Sequence, residues 1–465
     1  MSEDAALPEL MSVAPVTRPI NASMRVPGSK SLSNRHLLLA AVRAGRPRGA
    51  ATTLKGFLRC DDTEHLIAAL ASLGTRARWS GEDLMVDATP AGSGKILNLG
   101  DGGTPTRFML AYAASCAHSC RDWITVDGSA RMRERPIAEG VAMLQALGAR
   151  VEWIEAEGRL PVRVLGGSLL GGALEVGRTA SSQFVSALLL VAPTLERGLE
   201  LKFVGEPTSA TYLELSLAAL VQAGFGAPLT VERDGSANGG TLRAIRFRRD
   251  ASSNGATEDS ALVLSIEPDA SSAVYPAAAA VLTGGSVVLE GLPRLSAQPD
   301  RIFLEDLAFR GARLETQTEV RPSAGHAEST RVVAQGALRG RDSDYSKAPD
   351  AAVMAMVLAA CGSEPSLFTG LGTLRVKESD RIAAVAAGLR ALGGTVETGD
   401  DWARVHPLGQ APVAAAIETV QDHRIAMAFA VLGLVRPGVS IRNPSCVAKS
   451  WPRFWTALQQ LRTHP

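Results

Sequence analysis

At several points in this chain cations, hydroxyls and glycines cluster where a polar segment runs into an apolar one, the kind of junction at which a helix start binds anions. The first is Arg25-Val26-Pro27-Gly28-Ser29-Lys30-Ser31-Leu32-Ser33-Asn34-Arg35, ahead of an apolar run over 37–42 that predicts a helix. Gly28 permits close backbone approach, a serine can cap, and Ser31 and Arg35 share a face at i, i+4. An ordinary capped helix is the plainer alternative. The segment is not a P-loop, because Ser29 stands where the glycine before the lysine is required. Next comes Leu99-Gly100-Asp101-Gly102-Gly103-Thr104-Pro105-Thr106-Arg107, a glycine-rich turn into a helix predicted over 108–117, where backbone amides either approach a ligand or simply turn. Arg131-Met132-Arg133-Glu134-Arg135-Pro136 packs three arginines into five positions, as a binding cluster or a solvated charge run. Thr179-Ala180-Ser181-Ser182-Gln183-Phe184 sets hydroxyls and an amide before the apolar run 185–191, again at a predicted helix start.

The second half carries carboxylates as well as cations. Arg375-Val376-Lys377-Glu378-Ser379-Asp380-Arg381 is read as opening a helix that runs to Leu392, so that Lys377, Glu378 and Arg381 would share one end of it. Ala348-Pro349-Asp350 places a carboxylate before the apolar run 351–360, where the helix dipole favours its charge and leaves it available as a base or an acceptor, or simply as a cap. Asp422-His423-Arg424 precedes a predicted helix over 425–434, and Lys449 precedes Trp451-Pro452.

The elements that must position these groups repeat. An amphipathic helix, a glycine suited to its C-terminus, and a short strand recur around Gly74, Gly148, Gly224, Gly311 and Gly393, and a last helix over 451–461 ends the pattern. Six units in 465 residues are about 78 residues each, long for a solenoid repeat and suited to a compact α/β unit used three times in each of two lobes. No proline-rich or low-complexity linker marks the boundary between them.

Composition narrows the function classes. Lys plus Arg 48 against Asp plus Glu 47 gives a net charge of +1, so no global field draws the chain to nucleic acid or an anionic membrane, and any anion site is built locally. The first residues lack a basic region followed by an apolar one, and the longest apolar stretches, such as 425–435, are too short to span a bilayer, which predicts a cytoplasmic protein. Five scattered cysteines, Cys60, Cys116, Cys120, Cys361 and Cys446, argue against a disulfide framework. Cys116, His118 and Cys120 lie in an alanine-rich segment with no second ligand pair, so neither a metal nor an organic cofactor is expected.

Taken in order, Gly-Ser-Lys-Ser-x-Ser-Asn-Arg, Arg-Met-Arg-Glu-Arg-Pro, Ser-Ser-Gln-Phe, Arg-Val-Lys-Glu-Ser-Asp-Arg and Asp-His-Arg resemble the enolpyruvyl transferase family over nearly the whole chain, on the branch that uses shikimate 3-phosphate. The resemblance implies an α/β fold of two similar lobes, each of three βαβαββ units around a pseudo-threefold axis. It divides the chain into a discontinuous lobe, residues 1–26 plus 268–465, and a continuous one, residues 27–267. It also implies a monomer without cofactor, acting on two small molecules, shikimate 3-phosphate and phosphoenolpyruvate.

By the same resemblance Lys30, Ser31, Arg35, Ser181, Ser182, Gln183, Ser209, Tyr212, Asp350 and Lys377 contact shikimate 3-phosphate. Lys30, Gly103, Arg107, Arg135, Gln183, Arg381, Arg424 and Lys449 contact phosphoenolpyruvate. The catalytic groups are Asp350 as base, Glu378 and Lys449 for proton delivery to and from carbon, and Lys30. A carboxylate and two phosphates do call for several forked guanidiniums and lysines. Asp101, Pro105 and Phe108 depart from the family's usual glycine-rich turn, which leaves the response to glyphosate open although Gly103 is kept, and Thr373 stands where many members have an asparagine. Two other readings compete: an enolpyruvyl transferase acting on UDP-N-acetylglucosamine through a loop cysteine, and a binding protein that kept the fold without the reaction. Lys30, Asp350, Glu378 and Lys449 together weigh against the second, since binding alone needs no base and acid.

Overall fold

The helix, glycine, strand pattern takes the predicted form. Gly74, Gly148, Gly224, Gly311 and Gly393 have φ of 89°, 98°, 85°, 109° and 82°, left-handed values open to a residue without Cβ. The turn each makes lets a strand run back along its helix. The computed structural model describes residues 7–46, 49–88, 95–116, 122–235, 240–249, 260–321 and 325–463. Its backbone forms two compact units, Met1–Ser29 with Glu267–Pro465, and Lys30–Ile266.

Among the described residues the strands form six small sheets, and five share one pattern: a parallel pair extended by two antiparallel strands. In the Lys30–Ile266 unit these are Ile96–Asn98 parallel to Trp123–Asp127, then Val162–Leu165 and Val151–Trp153; and Gly172–Val176 parallel to Leu199–Phe203, then Leu242–Phe247 and Leu229–Arg233. The third draws on both ends of the segment, Leu262–Ser265 lying parallel to Thr52–Lys55, which pairs on to Asp83–Ala88 and Thr75–Ser80. The other unit repeats the device, with Asn21–Met24 parallel to Ser286–Leu289 and Ser343–Asp344 parallel to Ser366–Thr369. Its last sheet has three strands: Ala415–Ile417 lies parallel to Val439–Arg442, and the N-terminal strand Leu10–Ser12 joins antiparallel. The chain thus forms two similar lobes of three βαβαββ units.

Each unit is centred on three helices that pack on one another. These are Lys30–Ala44, Gly103–Ser115 and Ser182–Val191 in one, and Ala270–Thr283, Pro349–Ala359 and His423–Gly433 in the other. All six are buried along almost their whole length; five are apolar nearly all round, as such helices must be, while Lys30–Ala44 also buries the polar Ser33, Asn34, Arg35, His36 and Arg43. Their interiors form separate cores, one from Leu37 to Leu264 and one joining Val13, Ile20 and Val26 to residues from Ala270 to Leu461. No helix among the described residues is long and apolar enough to cross a membrane.

Candidate active site

In the Lys30–Ile266 unit two of the central helices, Gly103–Ser115 and Ser182–Val191, bring their first turns together: Nε2 of Gln183 donates to Oγ1 of Thr104 at 2.9 Å, and the Arg107 guanidinium lies 5.1 Å from the Phe184 ring centre. Lys30 opens its helix with Nζ 2.9 Å from Oδ2 of the buried Asp62. Ser181 caps the helix Ser182–Val191, its Oγ accepting from the Gln183 amide at 3.3 Å. Ser209 sits before the helix Ala210–Leu220 at φ 48°, a conformation a residue with a side chain holds only when its surroundings impose it.

Arg35 proves to be an internal post. Its Nε donates to Ser216 Oγ at 2.9 Å, Nη1 to the Ser31 carbonyl at 3.0 Å, and Nη2 to the Tyr212 carbonyl at 3.1 Å and Ser186 Oγ at 3.3 Å. Burial lowers its pKa to about 10, the Tyr212 hydroxyl working the other way. These bonds tie the backbone of two expected substrate contacts, Ser31 and Tyr212, to one guanidinium.

Gly103 is where two cations converge. A Cβ there would lie 2.5 Å from Nη1 of Arg135 and 3.0 Å from Nη1 of Arg107, so any side chain at this position would push the guanidiniums from their present positions. Arg107 donates from Nη1 to the Gly103 carbonyl at 2.9 Å. Arg135 is buried; among the described residues its Nη1 reaches the Met132 sulfur at 3.7 Å and its Nε has no hydrogen-bond partner. The three arginines of that motif divide: Arg131 pairs with Glu134 at 2.5 Å and Arg133 with Asp127 at 2.6 Å at the surface, while Arg135 forms no ion pair among the described residues. A buried guanidinium without a counter-ion is costly unless an anionic ligand completes it.

The other unit builds a denser cluster at the first turns of its helices. Asp350, in the first turn of Pro349–Ala359, meets three cations: Oδ1 lies 2.7 Å from Nη1 of Arg381 and 3.2 Å from Nζ of Lys377, and Oδ2 3.0 Å from Nη2 of Arg424. Burial opposes its charge, yet Arg424, Lys377 and Arg381 hold the carboxyl well below the usual carboxylate range. The expected helix dipole therefore acts beside three direct ion pairs. Arg381, 1% exposed, also donates from Nη2 to Glu378 at 2.8 Å and from Nε to Asp422 at 2.8 Å. Burial works against its charge, but Asp422, Glu378 and Asp350 raise it above its ordinary value. Glu378 in turn lies 3.2 Å from Nζ of Lys449.

The helix predicted to open at Arg375 starts later. Asp380 caps it by accepting from the Ala383 amide at 3.0 Å, so it spans Arg381–Ala391, and Lys377 and Glu378 lie in the bend between it and the preceding short turn Gly372–Val376. The Glu378–Arg381 pair forms all the same, because the chain enters across its own helix start. Asp62, Thr104, Asp422 and Asp300 join these clusters without a role legible in the sequence. Asp422 had the clearest signal, as a carboxylate directly ahead of a helix: it caps His423–Gly433, accepts from the Arg424 amide at 2.9 Å and anchors Arg381. Thr373, at the departure from the family pattern, has a buried hydroxyl with no hydrogen-bond partner.

Among the described residues no group of His, Cys, Asp and Glu is placed to hold a metal ion; His118 and Cys120 lie outside them.

Two lobes of repeated βαβαββ units, with cations and carboxylates gathered at helix starts, define the enolpyruvyl transferase fold. The enolpyruvyl transferase NikO from Streptomyces tendae shares it, with a TM-score of 0.68 over 97% of each chain at 17% identity, a likeness of fold alone. The structure of EPSP synthase from Acinetobacter baumannii superposes with a TM-score of 0.75 and 25% identity over 97% of each chain. The family model of EPSP synthase (3-phosphoshikimate 1-carboxyvinyltransferase) matches residues 15–458. Relatives called 3-phosphoshikimate 1-carboxyvinyltransferase in Methanosphaerula palustris and Haemophilus ducreyi are 35% identical over 445 residues (95% of this chain, 96% of the relative) and 34% over 460 (97% and 98%). The chain belongs to the EPSP synthase family.

Proposed function

We propose that this protein transfers the carboxyvinyl group of phosphoenolpyruvate to the 5-hydroxyl of shikimate 3-phosphate, releasing phosphate, in aromatic amino acid biosynthesis. It acts as a cytoplasmic monomer without cofactor. Family membership over residues 15–458 supports the reaction, and the cluster around Asp350 is the observation that carries the chemistry. Lys30, Ser31, Ser181, Ser182, Gln183, Ser209, Tyr212, Asp350 and Lys377 bind the shikimate 3-phosphate, with Arg35 holding Ser31 and Tyr212 in place. Lys30, Gly103, Arg107, Arg135, Gln183, Arg381, Arg424 and Lys449 bind phosphoenolpyruvate.

The 5-hydroxyl oxygen attacks the enol carbon that bears phosphate while the methylene carbon gains a proton. The tetrahedral adduct then loses a methyl proton and phosphate together, which restores the double bond. Asp350 accepts the hydroxyl proton. With three cations on it the carboxylate is a weak base; substrate phosphate and carboxylate compete for Lys377, Arg381 and Arg424, which raises its proton affinity when substrate is bound. Glu378 and Lys449 carry the proton to and from carbon, a reading supported by their ion pair and by the pairing of Glu378 with Arg381. The guanidiniums stabilise charge on the departing phosphate.

Phosphate release assayed with both substrates tests this. Release that requires shikimate 3-phosphate and phosphoenolpyruvate together supports it. Release with UDP-N-acetylglucosamine as acceptor instead, or binding without turnover, would replace it with one of the two competing readings.

A further inference from the structure

The turn Pro299–Arg301 carries a carboxyl that its own fold does not use. Gln298 locks the turn by accepting from the Ala270 amide at 3.0 Å and donating to the Pro268 carbonyl at 2.8 Å and to Glu267 at 3.1 Å. Asp300, 2% exposed, takes no part in that network. Its Oδ2 accepts from the Ser271 hydroxyl, and its Oδ1 is buried with no hydrogen-bond partner. The turn packs against the helices Ala270–Thr283 and Pro349–Ala359, and Asp300 interacts electrostatically with Asp350 and Arg424. Among the described residues the Arg424 guanidinium is held at one end only, by Asp350 and the Tyr275 hydroxyl, and its Nε is buried without an acceptor. Arg381, by contrast, is gripped by three carboxylates. A buried acceptor and a buried donor left over in one charged cluster mark polar groups kept for something other than folding.

We infer that Asp300 is a positioning residue for Arg424, a rear counter-ion that keeps this guanidinium in place when Asp350 changes charge during turnover. The inference rests on the proposed roles of Asp350 as base and Arg424 as a phosphoenolpyruvate contact. Once Asp350 takes up the hydroxyl proton, Arg424 loses the charge of its one hydrogen-bonded carboxylate, and of the protein's own carboxylates Asp300 and, more weakly, Asp269 still face it beside the bound substrate. The groups facing Asp300 are Asp269 and Ser271 on or beside Ala270–Thr283, Asp350 on Pro349–Ala359, Arg424 on His423–Gly433, and the buried Tyr345, while Tyr275 faces Arg424; Arg301 on its own turn pairs with Glu305. Burial first, then Asp350, raise the Asp300 carboxyl to about 6, against the pull of Arg424 and Ser271. Its charge is therefore held less firmly than that of an ordinary carboxylate and is lost earlier as pH falls.

Steady-state kinetics on Asp300→Asn and Ser271→Ala test this, with the wild type run alongside. Asp300→Asn is expected to raise KM for phosphoenolpyruvate about tenfold or more while KM for shikimate 3-phosphate stays within about twofold. Ser271→Ala removes the bond that favours the charged carboxyl, so the pH below which kcat/KM for phosphoenolpyruvate declines moves upward. A decline caused by titration of phosphoenolpyruvate itself would not move. Equal changes in both KM values, or an unshifted profile in Ser271→Ala, would overturn the inference, and the second arm decides if Asp300→Asn does not fold. A wild type without turnover would instead count against the activity itself.

Discussion

At Gly103 one missing methyl group decides whether two guanidiniums fit. Gly103→Ala puts a carbon 2.5 Å from Nη1 of Arg135 and forces it to shift. Since a misplacement of about 1 Å costs on the order of 100-fold, KM for phosphoenolpyruvate should rise strongly, with shikimate 3-phosphate affinity nearly unchanged. Equilibrium binding of each substrate separates the two, and equal losses would show that the alanine distorts the whole unit. Asp350→Asn keeps the shape of the side chain but not its charge, so turnover should fall about 100- to 10,000-fold while shikimate 3-phosphate still binds. Near-normal turnover would remove Asp350 from the base role. These residue types were legible in the sequence because each sits in a short motif at a helix start. Which arginine of 131, 133 and 135 turns inward was not legible, because Asp127, in the strand before, and the remote Glu155 engage Arg133 at the surface while Arg135 is left buried.

Helix starts are the elements that hold the site, and their capping residues carry charge as well as structure. Asp422 is 0% exposed, caps His423–Gly433 and pairs with the buried Arg381. Asp422→Ala removes a cap worth about 1 kcal/mol and leaves a buried cation short of a partner, a loss on the order of 3–5 kcal/mol. Urea unfolding should show the midpoint of this unit's transition lowered, with phosphoenolpyruvate binding lost; an unchanged midpoint would mean that Arg381 finds another counter-ion. The depressed pKa of Asp350 has an acid-side consequence. Its folded value lies below the unfolded carboxylate value of about 3.9, so its stabilising contribution is complete above that pH and disappears as pH falls through the folded value. Asp350→Asn should lack this part of the acid limb in pH-dependent unfolding, and identical limbs would contradict the ion-pair assignment. The helices at 30–44 and 182–191 were readable from the apolar run behind a polar start. The helix placed at Arg375 was not, since two carboxylates, Glu378 and Asp380, compete there to begin it and the Asp380 cap wins.

On the scale of the molecule, the two interiors share no residue, and the segment Lys30–Ile266 closes its own third sheet through Leu262–Ser265 against Thr52–Lys55. Expressed alone, residues 30–266 should fold and unfold in one cooperative thermal transition; a broad, gradual melt would show that this unit depends on the rest of the chain. With a net charge of +1, the chain has no overall field to attract its anionic substrates, so the affinity for them should come from local cations and fall with added salt, and activity should persist in EDTA. Flat salt dependence would point to contacts other than ion pairs. The sequence by itself determined the repeated helix, glycine and strand unit, the anion-binding starts and the family, because these depend on short-range spacing: a turn needs its glycine within a few residues, and a cap acts on the amides next to it. Only the tertiary structure decided which charges are bound to which. Asp350 meets Lys377, Arg381 and Arg424 from 27 to 74 residues away, Lys30 meets Asp62, and Asp300 enters the cluster around Arg424. Those pairings are set by how packed helices bring their first turns together, and nothing local to any one residue encodes them.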